Sequence, residues 1–419
     1  MPTTPPSLTA AEVIAVRPGP PLTGTVAVDG SKNAALPLLA AAAALDLIQQ
    51  AGWHVAQPVG EPTTAVIVPA ESRRSLPELP TAAHIRASYY LVPALLARYG
   101  EARLPGPGGC RIGARGMDLH FKVYEAFGDR SLVDDSGYRI ESGTPRTGTV
   151  SLVLPFRSRG ATVVAILRAV TTGRPLRLGE PNPSPEVLCV LDALNQAGWE
   201  GRAGERLITL SPPCSASNDT EWVVPGDKVE AGTLACAVAT TGGIGRIEGA
   251  QAEDMSPLVA ALRRLGISVS NEANALTVNA EDGRTTGRPL RAIASLIPGG
   301  LDADFEPPLM ALALGLPGTH LFADSINPGR HGNLLPQLAR LGAGIEEMSP
   351  TECRLTGPQH LIGAGVEATD IRTGSALMVA GLTAQGVTTL GGLDQLRRGH
   401  ADLPGKLRTL GADICEVTP

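Results

Sequence analysis

The chain has 419 residues, a formal net charge of −6, and 43% hydrophobic but only 3% aromatic side chains. That length exceeds one ordinary hydrophobic core and predicts two domains of about 200 residues each, filled by Ala, Leu, Val and Ile. The acidic balance excludes nucleic acid as the main partner, and six scattered cysteines with no CxxC pair predict a reducing, cytoplasmic setting rather than a disulfide scaffold.

No basic-then-apolar leader opens the chain, and its longest apolar run, 34–45, is Ala-rich, carries Pro37 and is too short to span a bilayer, so no membrane partner is expected. A unit then recurs along the sequence: an amphipathic helix closed by glycine, a short strand, a turn and a second strand. Its instances are LDLIQQAGWHV, VYEAFGDRSLV, VLDALNQAGWE, LVAALRRLGISV, LLPQLARLGAGI and LPGKLRTLGADI, closed by Gly52, Gly128, Gly198, Gly266, Gly342 and Gly411 at intervals of about 70 residues. Glycine suits the position after a helix because it enters the left-handed region without a β-carbon penalty, and the chain reverses into strands such as 268–271 or 276–278. Caps at so regular a spacing predict six α/β subdomains, three in each of two similar domains. The period is too long for helical or leucine-rich arrays.

Between the first of these instances and the second lies LPGPGGCRIGAR (104–115), with Cys110 among glycines and with Arg111 and Arg115 nearby. The glycines permit turns that a β-carbon forbids, and the guanidinium groups favour thiolate over thiol. Two readings stand: a reactive cysteine, or a surface loop with an incidental thiol.

The repeats and the cysteine loop, together with GSKNAALP (30–37), HIRAS (84–88), KVEAGT (228–233), DIRTGSALMVAGL (370–382) and RRGH (397–400), resemble the UDP-N-acetylglucosamine 1-carboxyvinyltransferases. These are bacterial enolpyruvyl transferases, relatives of the shikimate-pathway enzyme. The resemblance runs over nearly the whole chain, with the motifs in the family's order. It implies an α/β fold of two inside-out α/β barrels, each of three βαβαββ units. One domain would be 1–31 plus 228–419, taking the amino-terminal strand, and the other 32–227, carrying the cysteine loop.

The resemblance also implies transfer of the enolpyruvyl group of phosphoenolpyruvate (PEP) to a sugar hydroxyl, with release of phosphate. That chemistry needs a cationic cradle, a proton donor for C3 and a base for the hydroxyl. By motif, Lys32, Arg115 and Arg398 resemble the phosphate cradle, and Arg372 a partner of PEP or its adduct. Cys110 resembles the catalytic cysteine, and Arg86 is carried over as substrate-binding. Lys32 begins the Ala-rich helix, whose dipole would add to its charge, and Asn33 would bond the acceptor. The stretch 115–119 resembles the uridine-binding segment, with Asp118 and Leu119 at the pyrimidine and ribose; Asp118 also suits a cap on a helix over 119–127. Ser158, Arg159 and Gly160 resemble a loop holding the nucleotide's phosphates, with Arg159 as an extra cation.

Several positions depart from the family. Pro308, three residues after Phe305, stands where an aspartate helps take the hydroxyl proton; Asp302, Asp304 and Glu306 are the candidate replacements. His331, carried over as substrate-binding, takes the place of an arginine, with Arg330 adjoining. Tyr90 replaces a tryptophan at the acceptor sugar, and Phe156 a lysine near the nucleotide. The first repeat, from Ala34 to Gly52, omits a strand and the start of a second helix, so one subdomain is expected to lack an element. Because the PEP cradle and uridine segment persist while amino-sugar contacts have changed, the leading reading is an enolpyruvyl transferase acting on a uridine nucleotide such as UMP, as in routes to nucleoside antibiotics. Ordinary cell-wall transfer to UDP-N-acetylglucosamine and a non-catalytic nucleotide-binding relative stand as alternatives. With no Walker A loop, no HExxH, no metal-spaced Cys/His cluster, and no third glycine after Gly242-Gly-Ile-Gly245, no cofactor or metal is expected.

Overall fold

The computed structural model describes residues 13–38, 40, 52–56, 66–70, 86–104, 116–134, 137–214, 220–282, 286–297 and 299–417, with backbone alone at 52–56, 66–70, 86 and 87. These residues form two compact units: those up to Gly30 with those from Gly226 onward, and those between Ser31 and Pro225. Each unit has its own apolar core.

The chain starts in the first unit as β1 (Val13–Arg17) and β2 (Thr23–Ala27), then enters the second. There a helix α1 (32–38) is followed by the antiparallel hairpin β3 (Gly52–Ala56) and β4 (Val66–Ala70). Next come α2 (Val92–Tyr99), β5 (Glu101–Leu104), α3 (Asp118–Phe127), β6 (Arg130–Asp134) and β7 (Gly137–Glu141), whose strands make a three-stranded sheet. A full βαβαββ repeat closes this unit: β8 (Val150–Val153), α4 (Arg159–Thr172), β9 (Leu176–Gly179), α5 (Pro185–Gln196), β10 (Glu200–Ala203) and β11 (Leu207–Ser211). In it β8 and β9 are parallel, and β11 returns antiparallel to β9.

Back in the first unit, α6 (Lys228–Thr240), β12 (Ile244–Glu248), α7 (Ser256–Leu265), β13 (Ser268–Glu272) and β14 (Ala275–Asn279) continue the repeat that β2 began, with β2 parallel to β12. The next repeat is β15 (Arg291–Ile293), α8 (Glu306–Leu314), β16 (Gly318–Ala323), α9 (Arg330–Arg340), β17 (Ile345–Ser349) and β18 (Glu352–Gly357). The last runs β19 (Gly365–Glu367), α10 (Ile371–Gly381), β20 (Thr388–Gly391), α11 (Leu393–Arg397), α12 (Leu403–Thr409) and β21 (Asp413–Val417). Its fourth strand is β1, antiparallel to both β20 and β21. Three four-stranded sheets of one pattern result. In the second unit the described strands make sheets of four, three and two, the two-stranded one belonging to the first repeat.

The helices divide into two kinds. In α8 every residue is buried, and α6 is buried from Lys228 through Ala239, as helices apolar on all sides must be. Together with α10 they pack on one another inside the sheets, the inside-out arrangement expected. Close approach needs small residues: a β-carbon on Gly232 of α6 would lie 2.7 Å from the Phe305 ring. By contrast α7 buries only the stripe Leu258, Val259, Leu262 and Leu265. Five of the six repeat glycines, Gly128, Gly198, Gly266, Gly342 and Gly411, hold φ between 84° and 100°, the left-handed cap expected of them. Gly52 is the first residue of β3, and residue 51 before it lies outside the described ones.

In the first unit the crossing points are pinned by charge. Gly30 bridges Gly226, and the Asp29 amide donates to Glu230 Oε2 at 2.8 Å. Lys406 Nζ sits 2.6 Å from Glu230 and 2.9 Å from Asp29. Burial pushes the Glu230 carboxyl up, and Lys406 pulls it back. No helix among the described residues is long and apolar enough to cross a membrane.

Candidate functional site

In the second unit, Lys32 and Asn33 are the first two residues of α1, both half-buried. Ser31 anchors that start: its carbonyl accepts from the amides of Ala34 and Ala35 at 3.1 and 2.8 Å, and its own amide donates to Pro225 O. Lys32 therefore stands at the positive end of a helix, where an anion is favoured.

Gly160 is met by the residues that directly follow two other motif segments, Tyr89 after 84–88 and His120 after 115–119. Ser158 caps α4, its Oγ accepting from the Ala161 amide at 3.3 Å. Gly160 follows Arg159, and a β-carbon on it would lie 2.5 Å from Tyr89 Oη and 2.7 Å from His120 Nε2. Tyr89 belongs to the 3-10 turn Arg86–Leu91 and His120 to the first turn of α3. The Tyr89 ring lies 4.5 Å from both the Tyr90 and the His120 rings. Glycine at 160 is thus demanded by this packing, whatever it offers a ligand. Tyr90 is 6% exposed, and burial, reinforced by Tyr89, pushes its phenol well above the ordinary value. Arg159 Nε is 3.6 Å from Glu186 Oε2, a carboxylate 3% exposed in the first turn of α5.

Asp118 opens α3 as its first helical residue, exposed, while Met117 holds the cap position without a side-chain bond. The capping role open to Asp118 is therefore not taken, because the helix begins one residue earlier than expected. Leu119 is buried in the unit's core. The backbone of Arg86 begins the 3-10 turn; its side chain, and all of Cys110 and Arg115, lie outside the described residues.

In the first unit the three carboxylates that flank Pro308 each meet a different base. Asp302 lies 3.0 Å from Lys228 Nζ. Asp304 takes Arg372 side-on, Nε to Oδ1 and Nη2 to Oδ2, both at 2.7 Å. Glu306, fully buried, lies 2.9 Å from Nε2 of His331, itself 1% exposed. Arg330, beside His331, is the residue that joins the Arg372 cluster: its Nη2 lies 3.2 Å from Asp304, and its Nη1 meets Asp324 at 3.0 Å and the Ala303 carbonyl. The α10 start is fixed by Asp370, which accepts from the Arg372 and Thr373 amides at 2.9 and 3.4 Å. Arg398, exposed just after α11, donates to Gln395 at 3.2 Å. Among the described residues no group of three or more His, Cys, Asp or Glu is placed to hold a metal ion.

Sequence reading missed Glu186, His120, Asp324 and the bonds of Asp304. One signal was present: in DSIN (324–327) Asp324 accepts from the amides of Ile326 and Asn327 at 3.0 and 2.9 Å, a turn that aspartate favours and that leads directly into Arg330.

A family model described as EPSP synthase (3-phosphoshikimate 1-carboxyvinyltransferase) matches residues 44–407. The UDP-N-acetylglucosamine 1-carboxyvinyltransferase 3 of Symbiobacterium thermophilum is 32% identical over 424 residues, covering 95% of this chain and 96% of that protein. The UDP-N-acetylglucosamine 1-carboxyvinyltransferase 1 of Halalkalibacterium halodurans is 31% identical, covering 97% and 94%. Among solved structures, the enolpyruvyl transferase NikO from Streptomyces tendae superposes with a TM-score of 0.79 at 24% identity, covering 98% of this chain and 100% of that one. EPSP synthase from Acinetobacter baumannii gives 0.72 at 17% identity, covering 97% and 100%. At those identities the structural likeness speaks for the fold.

Proposed function

The chain belongs to the EPSP synthase family of enolpyruvyl transferases, and from that premise we propose that it moves the enolpyruvyl group of PEP to a ribose hydroxyl of a uridine nucleotide, UMP or a similar acceptor, releasing phosphate. In the addition, the acceptor oxygen bonds to C2 of PEP while Cys110 gives a proton to C3 and a base takes the hydroxyl proton. In the elimination, the bond from C2 to the phosphate oxygen breaks and C3 returns its proton. Lys32, Arg115, Arg398 and Arg372 serve as the cations that hold the phosphate and carboxylate. Asn33, Asp118, Ser158 and Arg159 serve the nucleotide.

The observation that carries the choice of acceptor is the surroundings of Gly160. Tyr90, where the family has a tryptophan toward the acceptor sugar, is spent on core packing with Tyr89, while Arg159 adds a cation at the start of α4. A site that has lost sugar contacts and gained a cation favours a smaller nucleotide with a more exposed charge. The two curated relatives named for UDP-N-acetylglucosamine favour the second reading, transfer to that sugar nucleotide.

Phosphate release from PEP, compared for UMP, UDP, UDP-glucose and UDP-N-acetylglucosamine at equal concentration, tests this. UMP is expected to give the fastest release. Faster turnover with UDP-N-acetylglucosamine returns the protein to the second reading, and no release with any acceptor leaves a nucleotide binder without catalysis.

A further inference from the structure

We propose that Asp304 is a positioning residue for PEP binding: it holds the guanidinium of Arg372 in one orientation and is itself held from behind by the buried Arg330. The proposal rests on the reading of Arg372 as a PEP partner. It does not depend on which acceptor is used.

The geometry is that of an oriented fork rather than a casual ion pair. The Arg372 backbone is set by the Asp370 cap on α10, and its side chain is gripped along the Nε–Nη2 edge by both oxygens of Asp304 at 2.7 Å. Two parallel bonds fix the plane of a guanidinium as well as its distance. With the Nε–Nη2 edge held in this way, the plane of the guanidinium, and so the direction in which it can meet an anion, is set by Asp304. Asp304 in turn receives Arg330 Nη2 at 3.2 Å, and Arg330, 0% exposed, is tied to Asp324 at 3.0 Å. The order Asp324, Arg330, Asp304, Arg372 alternates in sign, so no charge in it goes uncompensated. Buried ion pairs of this kind contribute little to stability compared with apolar packing, and a positional role is what they supply best.

Asp304 precedes Pro308 by four residues, and so is a candidate for the missing base. Lone-pair accounting argues against that role. Its oxygens already accept three N–H bonds from two guanidinium groups, which leaves little capacity for a hydroxyl proton.

The test is steady-state kinetics of Asp304→Asn, with PEP and nucleotide varied separately. An amide presents one acceptor and one donor to the Arg372 fork, so the orientation is lost. The expected result is a KM for PEP raised about tenfold or more, a nucleotide KM unchanged and a kcat within a few-fold of wild type. A hundredfold fall in kcat with an unchanged PEP KM would make Asp304 the base and overturn the proposal, as would equal changes in both KM values or none. Should Asp304→Asn not fold, as thermal melting will show, Asp304→Glu carries the test. It keeps the charge but shifts the oxygens, so a higher PEP KM alone supports the proposal and two unchanged KM values overturn it. Arg372→Lys is the control for the underlying reading. If it leaves the PEP KM unchanged, the assignment of Arg372 has failed, independently of what Asp304→Asn does.

Discussion

Around Arg372 nearly every cation named above is met by a carboxylate, Asp304 on Arg372 and Arg330, Asp324 on Arg330, Asp302 on Lys228, whereas around Gly160 the described residues show helix starts, packed rings and looser pairs, Arg159 with Glu186 at 3.6 Å and Arg157 with Glu180 at 3.4 Å. The contrast follows from what each cluster is proposed to hold. A small, highly charged ligand such as PEP needs full charges, and full charges near one another stay in place only when counter-charges hold them apart. Helix starts attract anions through partial charges that need no counterion. A nucleotide, larger and mostly neutral in its base and ribose, suits the second kind of surface.

The largest expected effect is at the proposed proton donor. Cys110→Ala should lower phosphate release by about a hundredfold or more, the range that general acid catalysis supplies, while Cys110→Asp should retain activity through an equivalent proton donor. Alkylation mapped by mass spectrometry should reach Cys110 well before Cys353, whose thiol burial pushes up to about 12, and before the fully buried Cys236. Turnover of the alanine variant near wild type would remove Cys110 from the mechanism.

The next effect would break the comparison if it failed. Arg159→Ala should raise the KM for UMP about tenfold, as loss of one charge-assisted contact of about 1.4 kcal/mol does, without changing the KM for PEP. Glu186→Gln should act in the same direction and less. Uridine, which lacks the phosphate, should be insensitive to both changes. A PEP KM that follows the UMP KM would mean that the two clusters do not divide the substrates.

Gly160→Ala sharpens the comparison from the packing side. Its β-carbon meets Tyr89 Oη at 2.5 Å and His120 Nε2 at 2.7 Å, an overpacking expected to cost about 1–3 kcal/mol. Thermal melting should register a clear drop. An unchanged melting temperature would show the Gly160 cluster to be looser than the charged one.

The smallest effect is on pH dependence in the unit of Arg372. His320 is buried, its Nδ1 accepting from the Leu290 amide at 3.2 Å, and burial lowers its pKa from the ordinary 6.5. The unfolded chain therefore binds a proton below pH 6.5 that the folded chain refuses, and this contribution to stability is complete above 6.5 and lost as pH falls below it. Melting temperature should decline on that side, and less so in His320→Gln; parallel profiles would assign the decline to other groups.

The amino-acid sequence by itself determined the repeats, five of their six glycine caps and the strands that follow them, because these are local matters. A cap depends on the φ of one residue, and a strand or helix on periodicity over a few neighbours. Tertiary structure alone decided the pairings: Arg372 with Asp304 across 68 residues, Glu306 with His331 across 25, and Arg159 with Glu186. It also turned Tyr90 into the core and made Arg330, rather than His331, the arginine of the Arg372 cluster. The physical reason lies in the inner helices. Beyond the charged residues at their starts, Lys228, Glu230 and Glu306, α6 and α8 are almost wholly apolar and buried on every side, so no polar stripe in the sequence tells which face meets which neighbour. The partner of each charge at their ends is chosen only when three such helices pack together.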